Sequence, residues 1–507
     1  MRSSKGAQKV TCVSSSNNAH FEIDRVASGL ERRSARGAAQ TILGQTVNLI
    51  LRLGGGALLA RLLRPADFGL LAMVGAVIGI LPVFGDLGLS TAAIQRPEID
   101  QRQMSTLFWL NVALGALLSG LVVLIAPSLA WFYGDDRLIS ITLVLGAGFF
   151  AAGLGVQHFA LLTRQMRFGV LSAIGIVSSI ISLLVGISLA WLQCGYWSLV
   201  WMQLAGGVVS SSAAWMACGW RPGMATRWTA IRSMVVFGGN LTLFSALNYL
   251  ARNFDNVLIG WRWGAEPLGQ YARAYNLMML PLGQINSPIS SVAIPALSRL
   301  QSDPARYRNY YTRCLNMVSY IMLPAIVGMF IFSEDIVRIL LGPQWSQATS
   351  VFRILTVAAF LQPLSNTAGW LYISLGRTNE MAKWGLISVP CFVCAFFVGL
   401  PWGPIGVAIA YAAACWAIMY PCLAMAVRGT PISVKDLWVA TCRPLCLAIL
   451  AGLVMYACRL AFASYGMVWM FMAAITAVTI VVLSMRHASD SVRIELGYII
   501  RAACLTR

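Results

Sequence analysis

Gln45-Thr46-Val47-Asn48-Leu49-Ile50-Leu51-Arg52-Leu53-Gly54-Gly55-Gly56-Ala57-Leu58-Leu59-Ala60-Arg61 is an apolar run interrupted by a few strongly polar side chains at helical spacing. Wound at 100° per residue, Thr41, Gln45, Asn48 and Arg52 fall within about 60° of one another and make one polar stripe. The run extends upstream to residue 38, and about 20 apolar residues suffice to cross a bilayer. An arginine at the middle of a lipid-facing helix costs about 2.5–3.5 kcal/mol. The stripe therefore predicts a membrane helix that turns this face to an internal cavity.

The pattern returns 200 residues later. Gln40 aligns with Asn240, Asn48 with Asn248, Arg52 with Arg252, Phe68-Gly69 with Leu268-Gly269 and Ala72 with Ala272. Asn240, Asn248, Arg252 and Asp255 share a face of the seventh span, and Arg273, Gln284 and Ser287 share a face of the eighth. An even number of spans separates the copies, so both halves have one orientation and form a parallel repeat, a construction used by transporters. The charges admit two readings. Arg252 and Asp255, at i and i+3, neutralise each other, or Arg252 serves an anionic ligand. Arg52 has no acidic residue within a turn of its own helix. A guanidinium in a cavity forks onto phosphate or carboxylate oxygens, and the alternative is pairing with Asp86 of the second span.

The rest of the chain is of the same kind. Of 507 residues, 58% are hydrophobic and 11% charged, against about 45–50% and about 25% in soluble proteins. Mean hydropathy is +0.72 over the whole length. This predicts an all-α polytopic membrane protein of about 14 transmembrane helices. Residues 1–37 form a disordered basic arm, 38–218 an N-lobe of six spans, 219–234 a linker and 235–427 a C-lobe of six spans. Two further spans lie in 439–485 and a tail in 486–507. With the N-terminus inside, 27 of the 37 Lys and Arg fall in cytoplasmic segments and six (Arg61, Arg64, Arg137, Arg262, Arg338 and Arg459) in external loops. That is the positive-inside asymmetry, with both termini cytoplasmic. It accounts for most of the +19 net charge without a nucleic-acid partner.

The polar residues outside the stripes argue against an enzyme. Asp135-Asp136 sits in a short turn between the third and fourth spans and reads as solvated. Gly146-Ala147-Gly148-Phe149-Phe150-Ala151 imitates a dinucleotide fingerprint, but inside a membrane run with no strand before it. His20, His158 and His487 are scattered, and Cys391-x-x-Cys394 has no second pair or nearby histidine, so neither metal nor cofactor is expected. The longest external connection, around 335–349, is short, which disfavours an integral-membrane glycosyltransferase or polymerase that must hold its acceptor outside.

Four stretches carry a family resemblance. They are Leu59-Ala60-Arg61-Leu62-Leu63-Arg64-Pro65-Ala66-Asp67-Phe68-Gly69, Phe84-Gly85-Asp86-Leu87-Gly88-Leu89-Ser90, residues 248–260 from Asn248 to Gly260, and residues 285–301 from Ile285 to Gln301. From about 38 to 430 the chain resembles bacterial Wzx-type oligosaccharide flippases of the multidrug/oligosaccharidyl-lipid/polysaccharide exporter superfamily. The resemblance implies two six-helix lobes around a central cavity, with the last two spans accessory. It also implies inner-membrane export of undecaprenyl-pyrophosphate-linked repeat units for exopolysaccharide, O-antigen or capsule. A polysaccharide polymerase and a chain-length regulator are the implied partners, beside membrane lipid. On this reading Arg52, Arg252 and Arg273 hold pyrophosphate and sugar acids, while Gln45, Asn48, Asn240, Asn248 and Gln284 bond sugar hydroxyls. Asp86 or Asp255 couples transport to an ion gradient or pairs a charge. The rival is a multidrug exporter of the same superfamily, whose cationic substrates favour carboxylates.

Overall fold

Proline, glycine and aspartate decide where the helices begin and end. The structure, a computed structural model, describes residues 30–86, 90, 99–224, 249 and 252–461, except the side chains of residues 30–39, 42 and 86. The arm before residue 30, most of the seventh span and the chain beyond 461 lie outside these residues. The first bundle comprises α1 (Leu30–Leu62), α2 (Pro65–Ile78), α3 (Leu81–Asp86), α4 (Gln101–Tyr133), α5 (Arg137–Arg164), α6 (Phe168–Trp191) and α7 (Trp197–Cys218). The second comprises α8 (252–263), α9 (Ala265–Arg299), α10 (Pro304–Ile331), α11 (Ser333–Leu340), α12 (Ser346–Ala359), α13 (Gln362–Ser374), α14 (Thr378–Gly399) and α15 (Gly403–Val427), with α16 (Val434–Ala461) beside it. Among the described residues there is no strand.

The architecture is that of an all-α polytopic membrane protein. Thirteen of the fourteen expected spans coincide, wholly or in part, with these helices, the seventh only over α8. The second and tenth spans are broken. α2 stops at Ile78 and resumes as α3, and α12 meets α13 at a 48° bend after Ala359. Each break falls four residues before a proline, Pro82 and Pro363, where the ring removes the N–H that would bond the last carbonyl. The repeat is visible in the same terms. Shifted by 200, the end of α1 lands within one residue of the end of α8, and the start of α2 lands on the start of α9.

The two bundles meet principally where α2 crosses α9, and the crossing is reciprocal. A Cβ on Gly69 would stand 1.6 Å from the Ala265 carbonyl oxygen, and one on Gly269 would stand 1.9 Å from that of Pro65. Under the offset of 200, Pro65 corresponds to Ala265 and Gly69 to Gly269, so each copy of the motif lies against the other. Small residues four apart allow this backbone approach, as in membrane helix pairs generally.

A cap of polar bonds surrounds the crossing. The Gln344 Nε2 donates to the Ala60 carbonyl at 2.6 Å, the Trp345 Nε1 to the same oxygen at 2.9 Å, and the Arg61 guanidinium to the Ile339 carbonyl at 2.6 Å. Gln270 braces the other side, donating to the Gln344 carbonyl and accepting from the Ala348 N–H, both at 3.0 Å. The stretch 335–349, expected as a plain short connection, thus folds as the last turns of α11 and a tight turn at Pro343–Trp345 that buries Trp345. Its indole has an apolar body to bury and an N–H to satisfy; Phe68 of α2 packs on the ring and the Ala60 carbonyl at the end of α1 takes the N–H. Other connecting turns gather on this seam face. Gly195 lies against Asp67, and Trp263 donates to the Leu400 carbonyl at 2.8 Å.

Candidate functional site

The three arginines of the polar stripes share one depth. Arg52 lies ten residues before the end of α1, Arg252 eleven before the end of α8, and Arg273 eight after the start of α9. At 1.5 Å per residue their backbones lie about 12–17 Å along their helices from the seam face, about half the roughly 30 Å of a hydrocarbon core. Arg52 and Arg252 are exposed, and neither has an ion-pair or hydrogen-bond partner among the described residues. The accessible surface of α1 carries apolar side chains at one edge and polar ones at the other. Leu43 and Ile50, exposed by 66% and 64%, lie about 160° around the helix from Gln45 and Arg52, which are also exposed. The apolar side suits lipid, and the other side carries the polar Gln45 and Arg52. Between them α1 packs on α6, with Gly44 against Ser172 and Gly55 against Leu183.

Arg273 is placed differently. Half-buried, its guanidinium carbon lies 3.8 Å from the centre of the Phe68 ring, so it bridges α9 and α2. Asp255 also departs from one expectation. Its i, i+3 spacing to Arg252 suggested an ion pair, and none forms. α8 turns Asp255 inward, where it is 3% exposed and accepts from the buried Tyr271 hydroxyl at 2.8 Å, while Arg252 stays on the accessible side. Asn48 likewise is engaged within the scaffold. It donates to the Gly44 carbonyl at 3.0 Å and accepts from the Ser179 hydroxyl of α6 at 2.7 Å. Gln45 and Gln284 are exposed, on the faces that carry Arg52 and Arg273. Asn240, Asn248 and the Asp86 side chain lie outside the described residues.

A family model described as "Polysaccharide biosynthesis protein" matches residues 58–350, more than half the chain. The chain belongs to the polysaccharide biosynthesis protein family. The match runs from the end of α1 through α2, α9 and the Gln344–Trp345 turn, so it takes in the whole seam. Among relatives of this family member, the lipopolysaccharide biosynthesis protein WzxC of Escherichia coli (strain K12) is 26% identical over 389 residues, 75% of this chain and 78% of that one. The teichuronic acid biosynthesis protein TuaB of Bacillus subtilis (strain 168) is 28% identical over 303 residues, 59% of this chain and 62% of that one. Among solved structures, the lipid II flippase MurJ in an inward closed conformation superposes with a TM-score of 0.74 at 15% identity, over 89% of this chain and 99% of that one. A multidrug resistance MATE family transporter of the MOP superfamily, in its inward-facing conformation, gives 0.60 over 76% and 97% at the same identity. These likenesses show that the family member shares the overall fold of those two proteins.

Several residues of the site escaped the reading of the sequence. Phe68, Tyr271, Gln344 and Trp345 look like ordinary interior or loop residues until the bundles are brought together. Gly69 and Gly269 did leave a signal. They are one of the identities at offset 200, and a glycine kept at the same place in both halves marks a close backbone approach.

Proposed function

We propose that this protein is a flippase, not an enzyme, which translocates undecaprenyl-pyrophosphate-linked oligosaccharide repeat units across the bacterial inner membrane for exopolysaccharide, O-antigen or capsule. The observation that carries this reading is the pair Arg52 and Arg252. Both are accessible, lack an acidic partner among the described residues and occupy equivalent places of the repeat, ten and eleven residues before the ends of their helices. Two such charges are stable only in a water-filled cavity, and an anion of pyrophosphate or sugar acid is their natural complement. With the seam face outward and both termini cytoplasmic, the cavity opens inward. The substrate head enters it, the lipid tail stays in the bilayer, and the lobes rock about the α2–α9 crossing to release the head outside. Gln45 and Gln284 then contact sugar hydroxyls, with Asn240 and Asn248 in the same role on the seventh span, and Asn48 holds α1 against α6. Asp86 and Asp255 are the acids available for ion coupling. A polymerase and a chain-length regulator act on the product. A cationic drug is a poorer fit, since the accessible charges here are basic and Asp255 is turned inward onto Tyr271.

Arg52→Ala tests the reading. It should abolish polymer export at nearly unchanged membrane abundance, with lipid-linked precursor accumulating in the cytoplasmic leaflet. Arg52→Lys should rescue only in part, since lysine keeps the charge and loses the fork. Normal export by Arg52→Ala would remove this residue from the site, and lost export without accumulated precursor would count against a flippase.

A further inference from the structure

Arg273 stands where the cavity face of α9 reaches the seam, and what it touches suggests a role besides binding. Its guanidinium lies 3.8 Å over Phe68 of the opposite bundle. The Phe68 ring packs edge-on against Trp345 at 5.4 Å, and the Trp345 indole donates to the Ala60 carbonyl. Among the described residues no carboxylate or hydrogen-bond acceptor meets Arg273. The positive charge is therefore held by an aromatic face, and that face belongs to the other half of the molecule.

We infer that Arg273 is a positioning residue that couples an anionic ligand to the seam: stacked on Phe68 it holds the bundles together, and an anion in the cavity that draws the guanidinium off the ring releases them. The inference rests on the anionic-ligand reading above and adds how the ligand acts. A ring face attracts a guanidinium more weakly than phosphate oxygens, which accept two parallel charge-assisted bonds. The closed seam and the ligand thus compete for one side chain. A ligand shifts a conformational equilibrium only through its differential affinity for the two states, and this competition supplies the difference. Coupling is reciprocal, so whatever weakens the Phe68 contact must tighten ligand binding by the same factor. A desolvated contact of this kind corresponds to roughly tenfold in the closed-to-open ratio.

The full chain in lipid nanodiscs, in a cysteine-free background, allows the test. Spin labels are placed by Trp131→Cys and Trp402→Cys, exposed by 85% and 70% at the seam face of opposite bundles. Undecaprenyl pyrophosphate and inorganic pyrophosphate are the probes, with undecaprenol as the neutral control. Undecaprenyl pyrophosphate should lengthen the label distance and undecaprenol should not. An equal response to inorganic pyrophosphate would show that the headgroup chemistry suffices, and its absence that the lipid-linked form is required. Phe68→Leu should lengthen the distance without ligand and bind the pyrophosphate roughly tenfold more tightly. Phe68→Tyr, which keeps the ring, should behave as the parent. Arg273→Leu should also open without ligand and show no further response.

A parent that opens on undecaprenyl pyrophosphate beside a Phe68→Leu protein identical to it in spacing and affinity would overturn the coupling and leave the anionic ligand standing. Opening by Phe68→Tyr equal to that of Phe68→Leu would overturn it too, by showing a packing contact. Failure of the parent to bind either pyrophosphate would instead overturn the proposed function.

Discussion

A methyl group on Gly269 tests the seam most directly. In Gly269→Ala the new Cβ would stand 1.9 Å from the Pro65 carbonyl oxygen and 3.1 Å from the Gly69 nitrogen, where ordinary contact begins at 3.4 Å. Both atoms are backbone at the first turn of α2 and cannot rotate away, so α2 and α9 must part by about 1.5 Å. Within α9 alone the change is favourable, because alanine exceeds glycine by about 0.8–1 kcal/mol in a helix interior. Overpacking a fitted contact costs about 1–3 kcal/mol, and here the cost falls only on the state in which the helices touch. The closed seam should lose roughly 5- to 150-fold against the parted one. Ala60→Cys reports it, since Ala60 is fully buried beneath Trp345. In purified, cysteine-free protein a hydrophilic maleimide should label Ala60→Cys at least fivefold faster when Gly269→Ala is added. Gly69→Ala, with its Cβ 1.6 Å from Ala265, should do the same or more. Unchanged labelling in abundant, folded protein would refute the reasoning that the glycine crossing closes this face.

Exchanging the charges by Arg252→Asp with Asp255→Arg should not restore export, because Asp255 is buried against Tyr271 while Arg252 is accessible; recovery in a polymer assay would mean the two side chains pair during transport. Tyr271→Phe leaves the buried carboxylate without its hydroxyl donor and should lower stability by about 1–3 kcal/mol, read as a fall in melting temperature. In the α4–α5 turn the Arg137 guanidinium, at 2.6 Å, holds the Asp135 carboxyl below the usual carboxylate range against desolvation. A depressed carboxyl contributes stability above its unfolded pKa and loses it as pH falls through the folded one. Arg137→Gln should therefore melt slightly lower at neutral pH, by well under about 1 kcal/mol for so exposed a pair, and the difference should vanish as the pH falls through the folded-state pKa of Asp135. Alkaline phosphatase fused after Arg507 should be inactive and fused near residue 340 active; the reverse would invert the proposed orientation.

The helical spans and the repeat were legible in the chain because they rest on local quantities. Hydropathy over about 20 residues, a period of 3.6, and prolines that remove a particular N–H act within one helix. The polar stripe on α1 belongs to the same class, since Gln45 and Arg52 need only a helix to share a side. Which stripe residues remain accessible depends on neighbours far away in sequence. Ser179 takes Asn48, Tyr271 takes Asp255, and Phe68 takes Arg273. The i, i+3 spacing of Arg252 and Asp255 sets them about 60° apart, and only the packing of α8 against α9 puts one inside and the other out. The seam is longer in range still, joining Ala60 to Trp345 across 285 residues. Hydropathy says that a tryptophan must be buried; which carbonyl receives its N–H follows from how closely Gly69 and Gly269 let the two halves approach.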